Sequence, residues 1–114
     1  MSESLFSASW YRVADIRPRI RSHARIYRHV YRGQVWYVLQ DQSSGRFHRF
    51  STVANFIIGQ MDGRRTMHDI WRSGCDNLGD DAPTQDEVIG LLSSLHRADV
   101  LQTDKPIDMM ELHE

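Results

Sequence analysis

Arg25-Ile26-Tyr27-Arg28-His29-Val30-Tyr31-Arg32-Gly33-Gln34-Val35-Trp36-Tyr37-Val38-Leu39 is the stretch that decides how this chain folds. Two runs of β-branched and aromatic residues flank Arg32-Gly33, a step suited to a two-residue hairpin turn because glycine takes a left-handed φ without steric cost. Turning there pairs Tyr31 with Gln34, Val30 with Val35, Arg28 with Tyr37 and Ile26 with Leu39. Successive strand residues face opposite sides. One face therefore carries Ile26, Val30, Val35, Tyr37 and Leu39, and is expected to be the buried one. The other carries Arg25, Tyr27, His29, Tyr31, Trp36 and Val38, aromatic but interleaved with polar groups.

Outward from the hairpin, a second turn over residues 42–45 leads into a short third strand, Arg46, Phe47, His48, Arg49 and Phe50. The meander's last strand is expected to be an edge. The period then becomes helical. Ser51 is a good N-cap, and Val53, Ala54, Ile57, Ile58 and Met61 recur at helical spacing up to a stop at Asp62-Gly63. Thr66 caps a second helix containing Met67, Ile70 and Trp71, followed by a loop over residues 74–83. Thr84-Gln85-Asp86-Glu87 has capping-box form and opens a third helix with the apolar stripe Val88, Leu91, Leu92 and Leu95. Residues 100–102 suit a short closing strand. Upstream, residues 1–21 read as a lead-in, polar and then rich in arginine, with Pro18 discouraging regular structure.

The chain's 114 residues, 40% hydrophobic and 25% charged, suit one ordinary globular domain. No apolar run approaches the ~20 residues of a membrane helix, and the N-terminus lacks the pattern of a secretory signal. The single cysteine, Cys75, excludes an internal disulfide framework and fits a reducing cytoplasm. A net charge of −1 conceals an asymmetry: residues 1–65 sum to +7 and residues 66–114 to −8. Such a molecule can steer a charged partner to one face, or pair its halves with each other.

No constellation supports catalysis, and no cofactor or metal is expected. His23, His29, His48, His68, His96 and His113 show neither an HExxH spacing nor a partner CxxC, and the hairpin register puts His29 and His48 on opposite faces. Cys75 has Asp76 beside it and no adjacent cation to lower its pKa. The seven glycines never cluster into a phosphate loop. A DNA-reading third helix would present Gln85, Asp86, Glu87, Gly90, Ser93, Ser94 and Arg97, the wrong sign for phosphate. Nucleic acid is disfavoured.

Peptide binding has a mechanism available. An edge strand over residues 46–50 carries a free row of N–H and C=O groups, on which an extended peptide can add as a further strand. The third helix would form the other wall, through Ile89, Ser93 and His96. Arg46 and Arg49 would attract acidic side chains, while Phe47 and Ile89 would anchor apolar ones. The bland alternative puts Phe47 in the core and Ile89 against the second helix, with the arginines merely guarding the edge against aggregation. Two further alternatives are a winged-helix DNA binder, and an adaptor that self-associates or docks through Tyr27, Tyr31 and Trp36.

From the third strand onward the order of motifs resembles the PqqD-like family of peptide-recognition domains in ribosomal-peptide modification. The matching residues are Phe50-Ser51, then Ala54 and Ile57, then Met61-Asp62-Gly63-Arg64-Arg65-Thr66 with Ile70, then Val88, Leu91, Leu92, Leu95 and Ala98 before Val100-Leu101. The resemblance implies a winged-helix-like domain binding a leader peptide between third strand and third helix. The upstream part, with Tyr31-Arg32-Gly33, Trp36-Tyr37-Val38-Leu39 and Gly45-Arg46-Phe47-His48-Arg49-Phe50, looks like the N-terminal cytoplasmic portion of bacterial membrane peptide zinc-metallopeptidases. That implies an excised recognition domain whose partner is a leader peptide, a protease substrate or another part of a longer chain.

The expectation is thus an α+β fold, a three-stranded antiparallel sheet followed by a three-helix bundle of winged helix-turn-helix type. Residues 1–21 are the lead-in, 22–103 the domain and 104–114 a flexible tail. Its expected role is non-enzymatic capture of an extended peptide or protein segment, in the cytoplasm, without membrane insertion.

Overall fold

The computed structural model describes residues 6–105. A 3-10 turn at Trp10–Arg12 precedes β1 (Pro18–Ile20), β2 (Ala24–Tyr31), β3 (Gln34–Asp41) and β4 (Phe47–Phe50). Then follow α1 (Thr52–Ile58), α2 (Met67–Leu78), a second 3-10 turn at Gly79–Asp81, α3 (Gln85–Arg97) and β5 (Leu101–Thr103). Strands β2, β3 and β4 form an antiparallel meander in that order, and β1 pairs with β5 in a separate two-stranded sheet.

Local chemistry accounts for most element boundaries. Arg32 and Gly33 both have positive φ, at 53° and 76°, as a hairpin of type I′ requires. The expected pairs Tyr31–Gln34, Val30–Val35, Arg28–Tyr37 and Ile26–Leu39 all occur. Ser51, Thr66 and Thr84 cap the three helices, each accepting a backbone N–H through its hydroxyl oxygen. At Thr84 the Glu87 carboxylate also accepts from the cap's own N–H, completing the capping box. Helix α1 ends at Ile58 rather than running on to Met61, yet Met61 remains buried. Gly74 lets α2 approach α1 closely, since a Cβ there would sit 3.2 Å from Ile57 Cδ1.

Two expectations about the polypeptide's apolar groups are corrected. The segment before Ser22 does hold regular structure. Trp10, Val13 and Ile16 are buried in the core, and β1 starts at Pro18, where a proline costs the two-stranded ladder little. The docking has a backbone cause as well. The carbonyls of Ile16 and Ala14 accept the N–H groups of Met67 and His68 at 2.8 and 3.0 Å, serving donors that the first turn of α2 would leave unpaired. Around them Trp10 donates to His68 Nδ1 at 3.1 Å and lies 5.9 Å from the Trp71 ring, whose own N–H donates to Pro83 O.

The second correction concerns the hairpin. Leu39 is fully buried, but on the same face Ile26 and Val30 are exposed, Val30 by 54%. The cause is reach. Helix α1 packs against β3 and β4, which leaves β2 on the uncovered side of β3, and the distal hairpin also runs past Phe50, where β4 ends opposite Tyr37. The distal hairpin therefore projects as an arm with apolar groups on both faces.

Candidate functional site

Strand β4 is an edge, as expected, because among the described residues it pairs with β3 alone. The direction of its free groups follows from one bond. Asp41 N–H donates to Arg46 O at 2.9 Å, so the hydrogen-bonded rungs of this antiparallel ladder fall at Leu39–His48 and Tyr37–Phe50. The intervening residues, Phe47 and Arg49, turn their N–H and C=O groups away from β3.

The turn that sets this register is held by one carboxylate. Asp41 is buried, and accepts from Ser44 Oγ at 2.7 Å and from Ser43 Oγ and N at 2.8 and 3.0 Å. These bonds, the hydroxyl of Ser44 foremost, hold its pKa down at about 2. His23 Nε2 stands 3.6 Å away and 3.1 Å from Asp99 O, which ties the strand base to the end of α3.

The structure divides the expected site residues into two groups. Arg46, Phe47, His48, Arg49 and Phe50 lie together on or beside β4. Phe47 is 63% exposed, Arg46 and Arg49 are exposed, and His48 and Phe50 are half-buried on the side facing α1. Ile89 and Ser93 are buried within α3, and His96 is exposed near its end. Helix α3 packs chiefly on β5 and on the 3-10 turn at Trp10–Arg12. Ser7 N–H also donates to Gln85 Oε1 at 2.8 Å, so the lead-in runs along α3.

On the sheet's outer face, Arg49 stacks over Trp36 with its guanidinium 5.4 Å from the ring centre. His29, Tyr31, Val38 and Arg49 line a shallow depression of about 330 Å³ there. Register puts His29 on this face and His48 on the other. Of the other histidines, His68 belongs to the tryptophan cluster and His113 lies outside the described residues. Among the described residues no three His, Cys, Asp or Glu side chains converge as metal ligands. Burial pushes the Cys75 thiol upward, with Asp76 adding to the shift. A second basic region, Arg17, Arg19 and Arg64, is interleaved with Asp62 and Asp104. Arg17 contacts Asp104 at 3.7 Å, so its charge is partly neutralised in place.

No protein-family model, curated protein or solved structure matches the chain. Likewise, no helix among the described residues is long and apolar enough to cross a membrane. What sequence reasoning missed is the arm. Its signal was present in the length of the hairpin relative to the seven-residue α1 that supports it.

Proposed function

We propose that this chain is a peptide-recognition module that captures an extended segment by strand addition on β4. The observation carrying this reading is the outward-directed, unpaired backbone of Phe47 and Arg49, beside a phenylalanine that is mostly exposed. A strand laid there gains main-chain hydrogen bonds, and its alternate side chains meet Phe47 on one face and His48 and Phe50 on the other. Arg46 and Arg49 favour acidic residues in the visitor. With Ile89 and Ser93 buried, the reading rests on the strand itself, and α3 keeps His96 at the surface. The order of sheet and helices is compatible with a PqqD-like, winged-helix-like module, and that assignment belongs to the same proposal.

Register also chooses the test. His48 is a paired rung, so a proline there would break the sheet. At Arg49 the N–H faces outward, and an edge strand tolerates proline in that position. Peptides selected from a random display library against the wild-type protein are expected to lose at least about tenfold in affinity for Arg49→Pro, about 1.4 kcal/mol. Amide exchange would verify that the variant keeps its fold. Failure to select any peptide, or undiminished binding by folded Arg49→Pro, would remove this reading.

A further inference from the structure

The meander has a second edge, and it is the longer one. Strand β2 spans eight residues against four in β4, and among the described residues only β3 pairs with it. His23 O accepts from Gln42 N–H at 2.8 Å, which sets the hydrogen-bonded rungs at Arg25–Gln40, Tyr27–Val38, His29–Trp36 and Tyr31–Gln34. The N–H and C=O groups of Ile26, Arg28 and Val30 consequently point outward. No described group bonds to them.

Side chains along this edge are exposed on both faces. Ile26 and Val30 lie on one face, and Tyr27 and Tyr31, the latter 52% exposed, on the other. A partner resting on a single face would leave half of these groups in water. A strand added along β2 meets both sets, because its own side chains alternate between faces.

Charge selects the partner's chemistry. Residues 22–61 contain Arg25, Arg28, Arg32, Arg46 and Arg49, and the only acid among them, Asp41, is buried and bonded to its turn. A second copy of the chain pairing β2 to β2 would bring the arginines of one meander up against those of the other, without an exposed carboxylate from residues 22–61 of either copy to offset them. Single-stranded nucleic acid fits poorly as well. Only Arg25 and Arg49 of these strands lie on the outer aromatic face, and Arg49 already covers Trp36.

We infer that the β2 edge is a separate strand-addition site for an acidic, apolar segment of another protein. In antiparallel register the segment places carboxylates opposite Arg25 and Arg28 and apolar residues opposite Ile26, Tyr27, Val30 and Tyr31. The site shares no backbone group with β4, so it stands whether or not β4 binds a peptide.

The probe is a fluorescein-labelled peptide, Val-Ile-Glu-Glu-Val-Ile-Glu, followed by anisotropy. Its affinity is expected to fall at least about tenfold in the glutamine-for-glutamate version and against Arg28→Glu, about what two cross-strand ion pairs, or one pair turned into a repulsion, supply. Val30→Pro, which removes an outward N–H without breaking a rung, is expected to reduce it similarly. Arg49→Pro is expected to leave it unchanged, and that separates failure at this site from failure at β4. The inference is overturned by absence of peptide binding, by full binding to folded Val30→Pro or by equal loss in Arg49→Pro. It is also overturned if a labelled oligouridylate binds the arm more tightly than the peptide. A final overturning result is sedimentation of the protein as a dimer that Val30→Pro dissociates.

Discussion

Replacing Trp10 by alanine tests whether the N-terminal segment is structural. Its indole is 6% exposed, packs against Trp71 and His68, and donates one hydrogen bond. Burying about 200 Å² of aromatic side chain at about 25 cal/mol per Å² is worth roughly 5 kcal/mol, an upper figure because the unfolded chain already hides part of that area. Core Trp→Ala substitutions cost about 3–5 kcal/mol. Half-buried His68 can exchange its lost donor for water, so the hydrogen bond adds only about 1 kcal/mol. The expected loss is therefore about 3–5 kcal/mol, a large share of a small domain's stability. Tyr11, its neighbour, is 71% exposed and serves as the control, with Tyr11→Ala expected within about 0.5 kcal/mol. Urea unfolding followed by far-UV circular dichroism measures both. A Trp10→Ala loss below about 1 kcal/mol would refute the docked lead-in.

Two further outcomes follow from the local chemistry. Thr84→Ala removes one half of the capping box of α3 and is expected to cost about 1 kcal/mol in the same assay, whereas Thr84→Ser should recover most of it. Asp41 has a lowered folded pKa, so its stabilising contribution is complete above its ordinary value near 4 and disappears as pH falls towards about 2. Asp41→Asn should flatten that part of the stability-versus-pH curve, and an unchanged acid limb would contradict the assigned turn.

The hairpin's register could be read from residues because strand periodicity is two and Arg32-Gly33 admits a tight turn, so the pairing follows from local rules. Caps at Ser51, Thr66 and Thr84 were equally readable, each being a hydroxyl placed before an apolar helical stripe. The lead-in was not. Trp10, Val13 and Ile16 are spaced three apart within a short polar context, too brief to announce an element, and Pro18 argued against a strand that lies at the margin of its sheet. Of the candidate site, β4 was visible as an edge, but the burial of Ile89 and Ser93 depended on how α3 packs with segments far away in sequence.

The chain's own sequence determined the types of β2 to β4 and of the three helices, together with turn chemistry and the separation of positive from negative charge, since these depend on neighbours within a few positions. It did not determine β1 or the last turn of α2, which runs to Leu78 where a loop is expected from residue 74. Tertiary structure alone decided which apolar residues are covered. Alternation in β2 marks the Ile26 and Val30 face for burial, yet α1 does not roof the arm, and Trp10 reaches the core where the segment that follows it docks its backbone on the unpaired donors at the N-terminus of α2. Burial is a property of what arrives opposite a side chain, and that partner is set by the path of the whole polypeptide.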